Sequence, residues 1–517
     1  MPPSSKVRWH DWSDDAFQKA QSEDKPIVLN LGATWCLGCA EMEETTYDDD
    51  EVAELLNRDY VAVRVDSDRR PDINERYNMG GWPTTAFLTP AGDLLGGTTF
   101  VPRDQMKQLL VQLKVGYARE RHRLRDEISR RDEKIAQALE RAPAGPPALT
   151  IEIFRKTVRG VAATFDPLHA GFGNAPKFPL VASLRVVLQA LYETQGPDFQ
   201  QVLCRTLDAM GDRGMFDSVA GGFFHYVTND VWSAPRTEKI GEDNASLIGL
   251  YLDASLVTGQ EKYAIRAHQA LEWVRASLWD ESRGVFRASQ AADDAYYSLP
   301  PDERAKRPAP AVDETVYVPA AAALASAGLR ASQVLGDPAW AGLALRAIEF
   351  LLRECVTHEG VAHFHDGRAR LFTLLRDPVA LAGALLDAHD HTGEARFLER
   401  ARGILEALPG KFWWETEKGL ADRAVDAIDR GDLARLRKQL HENSLAAGHF
   451  ARLWRLGGNE EHRRWAERLL QSFPDFLDGY GHSTAEYALA ADWVVRPPQE
   501  AGPGQLRDYL PRRVVKR

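Results

Sequence analysis

Cysteine is scarce, with 4 in 517 residues, which excludes a disulfide-stapled scaffold. Long apolar runs are missing too. No stretch reaches the roughly 20 apolar residues that a membrane span needs, and the opening Met-Pro-Pro-Ser-Ser-Lys-Val-Arg-Trp-His lacks the apolar core of a signal peptide. Together these point to a reducing cytoplasm and to no membrane partner. There is no basic excess: 64 Lys and Arg stand against 75 Asp and Glu, a net charge of −11, so no nucleic-acid partner is expected. No phosphate loop is present, because Gly171-x-Gly173 is not followed by the Lys-Ser/Thr such loops require. The His363-Phe-His365 and His389-Asp-His391 pairs lack evident carboxylate or cysteine partners, so neither a metal nor another cofactor is expected.

What is present begins with Ala33-Thr-Trp-Cys-Leu-Gly-Cys-Ala-Glu-Met42. It follows the apolar run Pro26-Ile-Val-Leu-Asn-Leu31 and precedes Glu41 to Leu56, which reads as a helix. A Cys-x-x-Cys between a strand and a helix is a redox arrangement. A sulfur at a helix start meets unpaired N–H groups and the positive dipole end, so Cys36 is the expected attacking thiolate and Cys39 the resolving thiol. Half of a zinc site is the alternative, but Cys204 and Cys355 are isolated and far away.

The order around this pair is a helix from Ser13, a strand near 26–31, the Cys36 helix, and a strand Tyr60–Asp66. A short helix Asp72–Tyr77, a strand ending at Leu88 and another from Leu94 to Phe100 follow. This is an α/β layer fold over residues 1–125. Residues 126–148 read as a charged helical and then Pro-rich linker, closing on Ala142-Pro-Ala-Gly-Pro-Pro-Ala148.

From 149 to about 500 helices dominate and a degenerate repeat emerges. A turn glycine is followed at offsets 4, 8 and 12 by Tyr263, Ala267 and Leu271 after Gly259, with the same pattern after Gly336, Gly393 and Gly458. Those offsets share one helix face, and an Ala-rich helix precedes each glycine. Four helical hairpins, with room before Thr237 for two more, predict an all-α (α/α)6 toroid; an open solenoid is the alternative. Residues 501–517 read as a tail. Counting back 16 and 15 from the glycines gives Asp243-Asn244, Ala320-Ala321, Asp377-Pro378 and Glu442-Asn443. Helix capping accounts for these carboxylates and amides; a polar mouth binding sugar hydroxyls is the sharper reading.

Specific motifs carry a resemblance. Cys36-x-x-Cys39 and Gly80-Gly-Trp-Pro83 stand in the first region; Gly171-Phe-Gly-x-Ala-Pro-Lys-Phe-Pro179, Gly221-Gly-Phe-Phe-His-Tyr226, Trp232-x-x-Pro235, Glu238-Lys239 and Asp243-Asn244 stand in the second. This ordered set resembles the spermatogenesis-associated protein 20 family: a thioredoxin fold followed by a toroid similar to N-acylglucosamine 2-epimerases and six-hairpin glycosidases. The resemblance implies a cis bond before Pro83, with that proline against Cys36. It also implies toroid candidates Asp217, His225, Trp232, Arg236, Glu238, Lys239, Asp243, Asn244, Glu442 and Asn443, with Trp232 stacking on a sugar and Glu238 or Asp243 as acid or base. Departures stand beside it. Leu37-Gly38 replaces the Gly-Pro of thioredoxins, and Asn30 occupies the place of their buried aspartate, leaving Asp66 as a substitute base or a strand-end carboxylate facing water. Arg236 replaces a histidine, and Ala320-Ala-Ala322 replaces Trp-Asn-Gly.

The leading functional reading is thiol–disulfide exchange with a protein disulfide or a reductase. A sugar epimerase or glycoside-processing enzyme acting on a sugar-like small molecule, and a non-enzymatic binding protein, are the alternatives.

Overall fold

A computed structural model of the chain describes residues 5–140, 148–473 and 481–515. It divides into two units, Met1–Ala142 with Arg423–Arg437, and Pro143–Asp422 with Lys438–Arg517. Among the described residues no helix is long and apolar enough to cross a membrane.

The first unit is built on four strands, β1 (Ile27–Gly32), β2 (Val61–Asp66), β3 (Thr84–Leu88) and β4 (Leu94–Thr98), in the order β2-β1-β3-β4. β1 and β2 run parallel, with Ile27 opposite Val61 and Gly32 opposite Asp66, while β3 runs antiparallel to β1. Strand residues alternate between faces, which sorts the core. Ile27, Leu29 and Leu31 join Val61, Val63 and Val65 under α1 (Asp14–Ser22) and α4 (Pro71–Tyr77). Val28 and Ala62 face the other way with Met42, Val52 and Leu56, the side of α2 (Leu37–Met42), α3 (Asp50–Asp59) and α5 (Arg103–Glu140). The single helix expected over 41–56 is three pieces: α2 continues as a π-turn over Glu43–Tyr47, and α3 restarts behind Asp49, whose carboxylate accepts the Glu51 and Val52 amides.

α5 is one helix of 38 residues that carries the first unit past residue 125, and the division between the units falls at Ala142/Pro143, in the expected linker. Most of the expected Pro-rich linker lies outside the described residues. The larger surprise is the segment 423–437, which the chain inserts into the first unit from almost 300 residues downstream of α5. Leu433 is fully buried in the α1/α4 core and its amide donates to the Tyr77 hydroxyl at 3.2 Å. Asp432 accepts the Leu94 amide at 2.9 Å, and Arg423 lies buried 3.4 Å from Asp72 and 2.5 Å from Asp429. Gly431, at φ 53°, has no room for a Cβ against the Gly92 backbone. Leu433→Ala is therefore expected to destabilise the first unit by about 2–5 kcal/mol, read as an earlier urea transition of that unit's tryptophan fluorescence.

The second unit is helical. α6 (Ile151–Ala163) leads into pairs α7 (Val181–Thr194)/α8 (Pro197–Asp212) and α9 (Gly241–Thr258)/α10 (Glu261–Trp273). Two short turns, α11 (Asp294–Tyr297) and α12 (Pro301–Arg304), precede α13 (Val318–Leu335)/α14 (Pro338–Phe350) and α15 (Arg376–Thr392)/α16 (Ala395–Phe412). α17 (Leu440–Gly457)/α18 (Glu460–Gln471) and α19 (Ala485–Val495) complete it. The four repeat glycines end their helices in the left-handed region, at φ 67°, 75°, 76° and 69°, where a Cβ is penalised. Neighbouring helices α7, α9, α13, α15, α17 and α19 pack in turn, and α19 returns against α7 and α6. The ring is closed, which excludes the solenoid. Only one of the two hairpins expected before Thr237 is there; α6 packs against α19 from the far end of the chain. The expected tail is not loose: Gln499–Ala501 pairs in parallel with Arg513–Val515, and Arg512 reaches Asp492 at 2.6 Å.

Candidate functional site

In the first unit β1 ends at Gly32, and Cys36 becomes the N-cap of α2. Its Sγ accepts the Cys39 amide at 3.2 Å, one of the N–H groups that a helix start leaves without a backbone partner. Cys36 and Cys39 are joined in a disulfide with Cα atoms 5.3 Å apart. Cys36 is 8% exposed. The Trp82–Pro83 bond is cis, as the resemblance implied. A Cβ on Gly38 would lie 3.3 Å from Pro83 Cδ, so the glycine between the cysteines lets the helix start approach that proline closely. Around the disulfide lie Leu37, 37% exposed, and Trp35, edge-on to Trp82 at 5.4 Å. Trp35 Nε1 donates to Asp68 at 2.8 Å, and Trp82 Nε1 donates to Ser67 at 2.8 Å.

Asn30 is buried on the α2 side of β1, and its Oδ1 has no hydrogen-bond partner. Asp66 uses Oδ1 to accept the Asp68 and Arg69 amides at 2.8 and 3.2 Å, so it braces the turn into α4.

The toroid candidates divide into groups whose polar atoms are satisfied internally and a set around His225. Asp217 is sealed in, with Lys239 Nζ at 2.8 Å and Arg304 Nη1 at 2.8 Å. Lys239 also donates to the Gly221 carbonyl at 2.7 Å and sits among Phe224, Trp273 and Tyr297. Burial pushes its pKa down to about 8, against the pull of Asp217. Trp232 is 0% exposed, with Nε1 donating to the Ala170 carbonyl at 3.2 Å; it cannot stack on a ligand where it lies. Asn244 exchanges hydrogen bonds with the Phe223 backbone at 2.7 and 2.9 Å, and Asn443 does the same with Leu420 at 2.9 and 2.9 Å. The two amides thus clamp the loops that lead into their helices. Truncating such a clamp leaves buried backbone groups unpaired: Asn443→Ala is expected to cost about 2–4 kcal/mol, read in thermal unfolding, with Leu420 amide exchange accelerated.

Of the remaining five candidates, His225, Asp243, Glu238 and Arg236 lie near one another. His225 Nδ1 lies 2.6 Å from Asp243 Oδ2, both partly exposed. Glu238 lies in the buried set; burial lifts its carboxyl above the usual range, against the nearby charges of His225 and Arg236. Arg236 is exposed and pairs with Tyr226 across a short ladder. Glu442 is partly exposed at the start of α17.

Two contacts were not foreseen from the sequence. Phe178, 41% exposed, stacks on Tyr226 at 4.6 Å and faces the His225 ring edge-on at 6.1 Å. His363 pairs with Asp377 at 2.7 Å, fully enclosed. Asp243 and Asp377 hold the same place before Gly259 and Gly393, so these two repeats each bond a histidine from the preceding loop; the aspartates and the histidines were both named from the sequence, their pairing was not. Among the described residues no group of three or more His, Cys, Asp or Glu could hold a metal.

Residues 3–140 match the family described as Thioredox_DsbH, protein of unknown function, DUF255. Human spermatogenesis-associated protein 20 is 30% identical over 326 residues, covering 58% of this chain and 40% of that protein. The resemblance holds. The chain spans well under two thirds of the length of that relative. Thioredoxin-1 of Drosophila melanogaster is 37% identical over 67 residues, 13% of this chain and 60% of its own. Among solved structures, a D-mannose isomerase aligns at TM-score 0.54 and 13% identity, over 66% of this chain and 96% of its own. The cellobiose 2-epimerase of Spirochaeta thermophila aligns at TM-score 0.53 and 14% identity, over 66% and 96%. The N-terminal region is thioredoxin-like and the helical unit has the fold of epimerase toroids.

Proposed function

We propose that this protein carries out thiol–disulfide exchange at Cys36 and Cys39, in a reducing cytoplasm, with a protein disulfide or a reductase as partner. The observation that carries this reading is Cys36 Sγ held at a helix start by the Cys39 amide at 3.2 Å, with the second sulfur already bonded to it. Such a position favours the thiolate over the thiol. The likeness to thioredoxin-1 of Drosophila melanogaster supports the same chemistry. The test is the reduction potential of the pair with the Cys36 thiol pKa measured alongside. We expect a reversible couple between roughly −270 and −200 mV and a Cys36 pKa below the free-cysteine value of about 8.5. A pKa at that value and no reversible couple rejects the reading.

A second reading concerns the toroid: a sugar-like small molecule handled by acid–base chemistry. The His225–Asp243 contact of 2.6 Å beside the protonation-prone Glu238 favours it, as do the sugar names of the two structures with the same fold. Saturable binding of a monosaccharide or disaccharide is expected, weakened at least about tenfold by Asp243→Asn, since that change breaks a charge-assisted contact. Isothermal titration across a panel of aldoses and disaccharides decides it, and a panel with no saturable binder ends this reading.

A further inference from the structure

Asn30 leaves the thioredoxin-like site without the carboxylate that would move a proton at the resolving thiol. The face beneath Cys39 shows where another one lies. Side chains of alternate β1 residues point the same way, so Asn30 and Gly32 face α2 together; a Cβ on Gly32 would lie 3.4 Å from Cys39 Sγ. Asn30 is flanked by Arg64 on β2 and Thr85 on β3. Its Oδ1 is a buried acceptor with no partner, and Arg64 Nε is a buried donor with no partner. A buried donor and a buried acceptor left unmet are costly, and one water between them would serve both. Arg64 in turn pairs with Glu43 through Nη2 and lies 4.4 Å over the Trp9 ring. Glu43 stands one helical turn beyond Cys39, and its amide donates to the Cys39 carbonyl.

We propose that Glu43 is the proton acceptor for the Cys39 thiol, reached through a water held between Asn30 Oδ1 and Arg64 Nε. This rests on the thiol–disulfide reading above. In the forward step the Cys36 thiolate attacks a substrate disulfide, forming a mixed disulfide and releasing one substrate thiolate. Cys39 then gives its proton to the water, which passes one to the Glu43 carboxylate. The Cys39 thiolate attacks Cys36 Sγ, the internal disulfide forms, and the second substrate thiolate leaves and takes up the proton. Two electrons pass from the dithiol to the substrate, and an external dithiol restores the pair. Among the described residues, Glu43 interacts with Arg64 from β2 and, within its own π-turn, with Tyr47, whose hydroxyl is 3.2 Å from Thr85 Oγ1.

The experiment is rapid-mixing decay of the mixed disulfide formed between the dithiothreitol-reduced full chain and oxidised glutathione, followed from pH 5 to 10. Glu43→Gln is expected to slow decay about 100-fold at pH 7. Its rate should then climb tenfold per pH unit and meet the unaltered chain in alkali, where hydroxide replaces the carboxylate. Asn30→Asp added to Glu43→Gln should recover at least tenfold at pH 7. Arg64→Lys, which keeps a cation for Glu43 but deletes Nε, should slow decay about tenfold, and it carries the test should Glu43→Gln not fold. An unchanged rate at pH 7 in Glu43→Gln or in Arg64→Lys overturns the proposal. Parallel pH profiles, the mark of a merely structural ion pair, overturn it as well. An unaltered chain that forms no mixed disulfide rejects the redox reading itself, a separate outcome.

Discussion

Cys36→Ser is expected to remove disulfide exchange, by more than about 10⁴-fold, in a turnover assay with a dithiol reductant and a protein disulfide. The helix start that favours a thiolate cannot ionise an alcohol near neutral pH, Cys39 left alone has no second thiol to complete the exchange, and outside the pair Cys355 is buried, with its pKa pushed up to about 12 by that burial. Cys39→Ser should behave differently. Cys36 still attacks, nothing resolves the product, and a mixed disulfide accumulates that mass spectrometry detects at one equivalent. A Cys36→Ser protein that retains exchange would refute the assignment of the nucleophile, whereas sugar binding by the toroid should be untouched in both variants.

Asp217→Ala is expected to be the most destabilising single change in the toroid, by about 3–5 kcal/mol. The carboxylate is 2% exposed and answers two buried cations, Lys239 and Arg304, each at 2.8 Å. Its removal leaves both charges in an apolar setting of Phe224, Trp273 and Tyr297. Burial pushes the Asp217 pKa up, but the Lys239 charge and the bonds from Lys239 and Arg304 outweigh it and hold the group below the usual carboxylate range. Because the folded pKa is depressed, this contribution is complete above the unfolded value of about 3.9 and is lost as pH falls through the folded value. Asp217→Asn should therefore unfold earlier than the unaltered chain at pH 7, and the gap should narrow below pH 4. Thermal unfolding at pH 7 and pH 3 measures it, and a gap of equal size at both would show that the charge plays no part.

The Cys36–Cys39 pair and the general fold were legible because their signals are local. A Cys-x-x-Cys between an apolar run and a helix, and a glycine after each Ala-rich helix, report backbone conformation within a few residues. The site residues of the toroid were less so. Lys239, Asp217 and Trp232 form a recognisable set with their neighbours, yet that set is satisfied internally and sealed, while Phe178 stood in a quoted motif without being singled out, because its stacking beside His225 is a tertiary contact.

From the sequence alone came the Cys36-x-x-Cys39 pair at a helix start, the order of elements around it, the hairpin repeat and the expectation of a closed ring, all set by spacing, turn conformation and the alternation of apolar residues. Only the tertiary structure decided that residues 423–437 complete the first unit's core, that α6 and α19 meet to close the toroid, and that Asn30 shares a buried face with Arg64. It also decided which charged residues are structural and which reach solvent. The physical reason is that desolvation and ion pairing depend on groups brought together from distant parts of the chain, and neither periodicity nor spacing records which partners will be buried with each other.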